Sequence, residues 1–252
     1  MTYRSLACSL AFLLTLTGIY SRAESAEIKV LSSAAVKEAY VELAPLFEKS
    51  SGHKLSTVWD GTANIVKRLR GGEVFDLVII PSADIDRLIS EAKLASGSRT
   101  DFVKSGIGIA VRAGMPKPDV SSGEAVKNAV LAAKSVAYSS GPSGNYIAGL
   151  FQKMAIGEQI KGKVIQTPSG VQVGEVVARG DADLGFQQIS ELLHVKGIEY
   201  LGPLPNDIQH ITTFSAGIHA ASKEPEAAKA LIKFLTSQEA APSIHKAGLE
   251  PG

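Results

Sequence analysis

Apolar residues are distributed along this chain in two alternating patterns. Short, almost continuous apolar runs are typical of buried strands, and the segments between them place an apolar residue every three or four positions, as amphipathic helices do. The predicted strands cover residues 27–31, 54–59, 76–80, 136–138, 163–167, 182–188 and 198–201. The predicted helices cover residues 36–50, 65–70, 85–92, 121–133, 147–154, 173–179, 225–236 and 238–246, and residues 152–160 complete the fifth of them and its connection. This alternation predicts βαβ units and an α/β fold with largely parallel sheets.

Two longer apolar stretches interrupt the alternation. Residues 102–111 contain Gly106 and Gly108 and are candidates for a strand that crosses between two lobes. Residues 211–220 are rich in β-branched residues and alternate, which favours a strand that runs back across the lobes. The length of 252 residues accommodates either one large domain or two small lobes.

The first 25 residues have the organisation of a secretory signal peptide. Arg4 gives a positive start, residues 6–19 are apolar, and small residues follow at positions 23, 25 and 26. A membrane anchor is the alternative, but an apolar run shorter than about 20 residues does not span a bilayer. We therefore predict cleavage before Ala26 and a periplasmic mature protein. Cys8, the only cysteine, lies within the signal peptide, so the mature chain is predicted to contain no disulfide.

Composition and charge narrow the possible partners. The chain is 45% hydrophobic and 20% charged, which is ordinary for a globular protein with a substantial core. Loss of Arg4, Arg22 and Glu24 with the signal peptide turns 26 basic and 25 acidic residues into 24 of each, so the mature net charge is 0. Without a basic field, and with Trp59 as the only tryptophan, nucleic-acid binding is not expected.

Four predicted strands end in small, hydroxylated or glycine-containing turns that lead into helices. The turns cover residues 32–35, 61–64, 142–145 and 169–171. Free N–H groups and the helix dipole at such positions suit a small anion, and ligands of open parallel sheets bind beyond the carboxyl ends of the strands. If two lobes face each other, all four helix starts can meet in one cleft. The alternative for each turn is ordinary helix capping by serine or asparagine.

These turns supply the candidate binding residues. We predict that the anion is held by Ser33, Thr62, Ser143 and Val171, with Asn145 and Gln188 as side-chain donors. Asp60, beside the second turn, is the carboxylate best placed to act as a base, although its position also suits a cap of the following helix. Three arginines could approach a carboxylate ligand or simply lie in solvent, namely Arg68, Arg112 and Arg179.

The motifs of metal and cofactor sites are missing from the sequence. The five histidines are scattered, with no His-x-x-x-His pair and no cluster with carboxylates. There is no Walker loop and no Gly-x-Ser-x-Gly nucleophile turn. Gly106 and Gly108 lack the third glycine of a dinucleotide fingerprint. We therefore predict neither a metal nor a cofactor.

Four motifs in the mature chain resemble the periplasmic molybdate-binding (ModA-like) proteins of ABC importers. They are VLSSAAVKEAY, WDGTANIVKRLRGGEVFDLVII, GPSGNY and SGVQVGEVVARGDADLGF. The resemblance implies a type II periplasmic binding-protein fold, with two α/β lobes of mostly parallel sheet flanked by helices and a ligand cleft between them. Lobe 1 would comprise residues 26–104 and 212–252, and lobe 2 residues 105–211. It also implies a small anionic ligand, a monomer and an ABC permease as a partner.

The resemblance also implies ligand-contacting positions. They fall on Ala35, Thr62, Ser143, Val171 and Gln188. Molybdate binders carry a serine where this chain has Ala35, and usually a tyrosine where it has Gln188, so two side-chain donors differ. These departures leave the fold as implied and the identity of the ligand open.

A second resemblance raises an enzymatic alternative. Residues 178–181 and 184–192 resemble a subgroup of the same family that includes aconitate isomerase. It implies a cis/trans isomerisation of an unsaturated tricarboxylate by a 1,3-proton shift, with the turns as donors to the developing charge and Asp60 or a water as the base. Two hypotheses follow, a solute-binding protein for an ABC importer and an isomerase with the same fold.

Overall fold

The computed structural model describes residues 25–252, in which two β-sheets are flanked by helices. The predicted signal peptide therefore lies almost entirely outside the described residues. In chain order the strands are β1 (Glu27–Ser33), β2 (Lys54–Asp60), β3 (Leu77–Pro81), β4 (Thr100–Ser105), β5 (Ile107–Arg112), β6 (Val136–Ser139), β7 (Val164–Thr167), β8 (Leu184–Gln188), β9 (Ile198–Pro203), β10 (Thr212–Ile218) and β11 (Glu250–Pro251).

Helices follow most of the strands, as the apolar periodicity predicted. They are α1 (Lys37–Ser51), α2 (Thr62–Arg70), α3 (Ser82–Ser90), α4 (Gly123–Ala132), α5 (Pro142–Lys153), α6 (Gly157–Ile160), α7 (Val173–Arg179), α8 (Ile189–Leu192), α9 (Pro225–Leu235) and α10 (Ala241–Lys246). The helix predicted over 238–246 is a short 3-10 turn, Gln238–Ala240, followed by α10. No helix within residues 25–252 combines the length and the apolarity that a membrane crossing requires.

Both sheets are mixed, whereas the sequence predicted mostly parallel ones. The first has the strand order β11-β4-β10-β3-β1-β2 and the second the order β7-β6-β8-β5-β9. Three strands in each sheet are parallel, β2-β1-β3 and β7-β6-β8. Strands β5 and β10 are antiparallel to the parallel strands beside them. Both β5 and β10 begin beside the carboxyl ends of the parallel strands, so each runs in the opposite direction to them.

The connection between the sheets differs from the predicted crossing strands. The stretch predicted as one strand over 102–111 divides at Gly106 into β4, in the first sheet, and β5, in the second. The chain returns to the first sheet before the predicted strand over 211–220, because β10 begins at Thr212 and lies entirely in the first sheet. The Gln209 side chain joins the two crossings, since its oxygen accepts from the Ile107 N–H at 2.9 Å and its nitrogen donates to the Ile107 carbonyl at 3.0 Å. The lobe boundaries at 104/105 and 211/212 stay a prediction.

Alternation along the strands buries both faces of the first sheet. Ile28 and Val30 pack with α1 and α9 on one face, and Leu31 packs with α2 and α3 on the other. A sheet covered on both faces needs apolar residues at every position of its central strand, and all five residues of β3 are buried. The two-lobed α/β fold with flanking helices is thus confirmed.

A buried carboxylate stabilises the far end of the first sheet. Asp76 precedes β3 and accepts the Lys29 N–H at 2.9 Å and the Ser222 hydroxyl at 2.7 Å. It also accepts the N–H groups of Lys223 and Glu224, at 3.2 and 3.3 Å, just before α9. Its role is structural, because it lies at the opposite end of β3 from the cleft.

Candidate functional site

A cleft lies between the two sheets, at the carboxyl ends of their parallel strands. Its cavity of about 40 Å³ is lined by residues from all four predicted turns. Seven predicted residues line it: Ser33, Ala35, Asp60, Thr62, Ser143, Val171 and Gln188. Among the described residues that line it there is no lysine, arginine or histidine.

The first wall is formed by the turn after β1 and by the start of α2. The Ser33 hydroxyl accepts the Ala35 N–H at 3.3 Å, so this serine caps a short 3-10 turn, Ala34–Val36. Thr62 is the first residue of α2 and is 9% exposed. Within the described chain no side chain caps α2 at Gly61, which leaves its first N–H groups free to face the cleft.

Asp60 is a structural carboxylate rather than a free base. Its Oδ1 accepts the Gly61 N–H and the Asn64 side-chain amide, both at 2.8 Å. Its Oδ2 lies 3.8 Å from Nη1 of Arg68, which is itself paired with Glu73. Within the described residues Asp60 accepts none of the free N–H groups of α2, so these bonds hold it beside the helix start rather than cap the helix. Arg68 is paired with two acidic residues and does not line the cleft.

The opposite wall is the start of α5. Pro142 is its first residue, Gly141 precedes it, and no side chain of the described residues caps it. The Ser143 hydroxyl is 3.2 Å from the hydroxyl of Ser139, which also accepts the Gly141 N–H at 3.2 Å. The hydroxyl of Ser140 is buried without a hydrogen-bond partner among residues 25–252. An unpaired buried hydroxyl in a cavity wall is a candidate donor or acceptor for a ligand.

The close packing of α5 against β6 depends on a glycine. A Cβ at Gly144 would lie 1.5 Å from the carbonyl oxygen of Ser139. Glycine therefore allows the first turn of α5 to sit directly on the end of the strand, which places Ser143 in the cleft. Asn145, the next residue, is exposed and lines a neighbouring groove instead of the cavity.

The fourth turn does not leave a free helix start. Val171 is 39% exposed and lines the cleft. Helix α7 begins two residues later, and the Gln187 side chain accepts its first N–H groups, from Val173 at 2.9 Å and Gly174 at 3.4 Å. The prediction that all four helix starts serve the cleft is therefore wrong for α7, because a buried glutamine from β8 caps it.

Gln188 faces the crossing segments as well as the cleft. In the orientation of its amide that satisfies its neighbours, the nitrogen donates to the carbonyl oxygens of Ser105 at 3.3 Å and Gly106 at 3.1 Å. The oxygen then accepts from the Thr212 hydroxyl at 3.1 Å. The side chain thus joins both connections between the lobes, and its capacity to donate to a ligand is largely used.

The structure adds to the cleft one ionisable residue that the sequence reasoning missed. Glu191 lines the cleft from α8, one helical turn beyond Gln188. Its Oε1 accepts the Gln172 side-chain amide at 3.3 Å, and the Gln172 oxygen accepts from Gln187 at 2.9 Å. Burial raises the pKa of Glu191 to about 7, against the lowering effect of the hydrogen bonds from Gln172 and Gln187. The signal in the sequence was a glutamate three residues after the glutamine pair that ends a buried strand.

The remaining candidates lie elsewhere. Arg179 is exposed and paired with Asp181, and Arg112 is exposed at the far end of β5. Within residues 25–252 no group of three or more histidine, cysteine, aspartate or glutamate side chains is arranged to hold a metal ion.

Two mixed α/β lobes with a polar cleft at their strand ends define a solute-binding protein. The chain belongs to the family of bacterial extracellular solute-binding proteins, whose sequence profile matches residues 28–250. It is 38% identical over 247 residues to an aconitate isomerase from a Pseudomonas species, covering 96% of this chain and 94% of that one. It is 25% identical over 232 residues to the molybdate-binding protein ModA of Azotobacter vinelandii, covering 90% of each chain.

Solved structures have the same fold. The periplasmic molybdate-binding protein of Azotobacter vinelandii superimposes with a TM-score of 0.76 at 17% identity, over 89% of this chain and 99% of that one. The sulfate-binding protein SubI of Mycobacterium tuberculosis superimposes with a TM-score of 0.72 at 19% identity, over 90% and 87%. At these identities the likeness concerns the fold alone, and the predicted type II periplasmic binding-protein architecture is confirmed.

Proposed function

We propose that this protein binds a small anion, an oxyanion or an organic di- or tricarboxylate, in the cleft between its lobes. The observation that carries the proposal is the pair of helix starts, α2 and α5, that line the cleft from opposite sheets without a side-chain cap in the described chain. Their N–H groups and the hydroxyls of Thr62 and Ser143 are neutral donors. Such donors can hold an anion without a paired cation, because oriented dipoles replace its water.

The close approach of the lobes supports capture by hinge closure. A Cβ at Gly61, in the first lobe, would lie 2.7 Å from the Gly170 nitrogen in the second. The Ser190 hydroxyl of α8 also donates to the Ala35 carbonyl at 2.7 Å. A ligand that contacts both walls would favour this closed arrangement over an open one. Delivery from the periplasm to an ABC permease, as a monomer with its signal peptide removed, completes the proposed role.

Isothermal titration calorimetry of the mature protein tests the binding role. Molybdate, sulfate, citrate, cis-aconitate and trans-aconitate form the panel, with a neutral sugar as the control. We expect one of the anions to bind with 1:1 stoichiometry, and a Ser143→Ala variant to bind it more weakly. If none of them binds at millimolar concentration, the proposal is wrong.

A second candidate function is the isomerisation of an unsaturated tricarboxylate such as aconitate. Two observations favour it, the 38% identity with an aconitate isomerase and the presence of a carboxyl group, Glu191, in the cleft wall. A 1,3-proton shift needs a group that removes a proton from an activated carbon and donors for the charge that develops. The helix starts can supply the donors.

The isomerase candidate is tested by incubating purified protein with trans-aconitate and following cis-aconitate by NMR. Molybdate-free, metal-free buffer without added cofactor is used. Conversion above the rate in buffer, which disappears when the protein is heat-denatured, supports the enzyme. A rate equal to that of buffer excludes it and leaves the binding role as the function.

A further inference from the structure

The position of Glu191 is unusual for a site that holds an anion. The carboxyl group lines the same cavity as the starts of α2 and α5 and is only partly accessible. The salt bridges of the described chain do not include it, so no cation offsets its charge. It accepts the side-chain amide of Gln172, and the Gln172–Gln187 pair behind it is fixed to the start of α7. The carboxyl group is therefore held in place but not neutralised.

The charged side chains on the elements packed around α8 lie too far from Glu191 to neutralise its charge. Strand β8 and the 3-10 turn at Ala34–Val36 carry no titratable side chain. The charged residues of α7 and β5 are all exposed, namely Glu175, Arg179 and Arg112. Beyond α8 itself, His194 and Lys196 are exposed as well. Across the cleft the titratable group is Asp60, whose carboxylate is held at the start of α2.

An ionised Glu191 and a bound anion would repel each other in a partly desolvated cavity. A protonated Glu191, in contrast, can donate a hydrogen bond to an anionic oxygen. We propose that Glu191 is the proton-exchanging group of the cleft, which must be protonated for an anion to bind and which transfers protons to and from the carbon atoms of an unsaturated carboxylate. This inference rests on the proposed anion-binding function. Burial favours the same state, since it raises the pKa of this group to about 7.

For an aconitate-like substrate the transfer balances with one residue. Glu191 passes its proton to the substrate carboxylate that it binds, and the carboxylate so formed removes a proton from the methylene carbon, whose C–H electrons form a new C=C bond. The original π electrons move to the far carbon, which takes up the proton that Glu191 removed, and the substrate carboxylate then returns its own proton to Glu191. Nothing is oxidised or reduced. The helix starts stabilise the negative charge that spreads onto the substrate carboxylate between the two transfers.

The two steps predict a measurable dependence on pH. Binding of an inert anion takes up close to one proton at pH 8, and its affinity falls about tenfold for each pH unit above pH 7. We choose tricarballylate, a saturated tricarboxylate that cannot isomerise, and molybdate as parallel probes. Calorimetry in two buffers with different heats of ionisation gives the proton uptake directly. In the Glu191→Gln variant the carboxamide still forms hydrogen bonds but does not titrate. The affinity of this variant for an anion should therefore be independent of pH, and its proton uptake should be lost.

The matched control is Glu158→Gln in α6, because the side chain of Glu158 is 85% exposed. It should bind with the pH dependence of the wild type. With trans-aconitate, Glu191→Gln should lose turnover by about a hundredfold or more while it still binds tricarballylate. That separation of binding from turnover would not result from a merely structural role.

The outcomes distinguish this inference from the proposed function. Wild-type protein that binds neither these probes nor any other anion of the panel at any pH overturns both. Wild-type protein that binds a probe with no proton uptake at pH 8 overturns the role of Glu191 alone, and this measurement does not require the variant to fold. A Glu191→Gln protein that retains the wild-type pH dependence, or the wild-type turnover, also overturns it.

Discussion

Gly61 is the residue at which closure of the cleft can be tested most directly. It lies just before α2 with φ −76° and ψ 148°, a conformation that alanine adopts without strain. In the closed arrangement a Cβ at this position would lie 2.1 Å from the Ser169 hydroxyl and 2.7 Å from the Gly170 nitrogen. The serine side chain can rotate away, but the backbone nitrogen cannot. Gly61→Ala therefore acts as a wedge between the lobes.

The expected magnitude follows from the overlap. A steric insertion into a well-packed contact costs about 1–3 kcal/mol. Because the open form relieves the overlap, this cost falls on closure rather than on folding. The dissociation constant of an anion that both lobes contact should rise by about 5- to 150-fold. The free energy of unfolding should change by no more than about 1 kcal/mol, the usual effect of a substitution at a helix cap.

Calorimetry with the best anion of the panel measures the affinity, and urea unfolding followed by Trp59 fluorescence measures the stability. Gly149→Ala is the matched control, because Gly149 lies within α5, is exposed and has no atom within 4 Å of an added Cβ. It should leave the affinity unchanged and stabilise the protein by about 0.5–1 kcal/mol. An unchanged affinity in Gly61→Ala would refute the reasoning, because the contact between the lobes would then not belong to the bound state.

Three further predictions concern the cleft and the first sheet. Ser143→Ala should weaken anion binding by about tenfold or more, whereas Ser96→Ala, at an exposed serine, should not change the calorimetric affinity. The pKa of Glu191 is about 7 when folded against an ordinary 4.5, so its contribution to stability declines between those pH values as the unfolded chain releases the proton first. Glu191→Gln should therefore gain up to about 3 kcal/mol over wild type between pH 4.5 and pH 8, and an equal difference at both pH values in urea titrations would contradict this. Asp76→Ala should lower the free energy of unfolding by about 3 kcal/mol, since it removes the acceptor of four hydrogen bonds, and thermal unfolding checks it against the exposed Asp86→Ala.

The local pattern of the sequence was sufficient for most of the elements. Apolar spacing located α1 and α9 within a residue or two, and the buried run before Pro81 marked β3. Small and hydroxylated residues after strands marked the turns that do line the cleft. These features are local, since they depend on which residues follow one another and on the period at which apolar side chains recur.

Other parts of the site could not be predicted from local sequence patterns. Helix α7 looked like a fourth anion-binding start, but its N–H groups are capped by Gln187, a residue 14 positions away that β8 places beneath it. Asp60 looked like a base, and its hydrogen bonds to Gly61 and Asn64 show that it is held in place beside the start of α2. Glu191 is a single glutamate in a short helical segment, and no local pattern marks it as a cleft residue.

The sequence by itself determined the α/β class, the order of the elements and the small polar turns at the strand ends, because each follows from local periodicity and turn chemistry. Only the tertiary structure decided which strands run antiparallel, where the chain crosses between the sheets, and which polar groups remain unpaired in the cleft. Those properties depend on contacts between residues far apart in the chain. The charge state of Glu191 is of this kind, since its pKa reflects the walls that two lobes build around it.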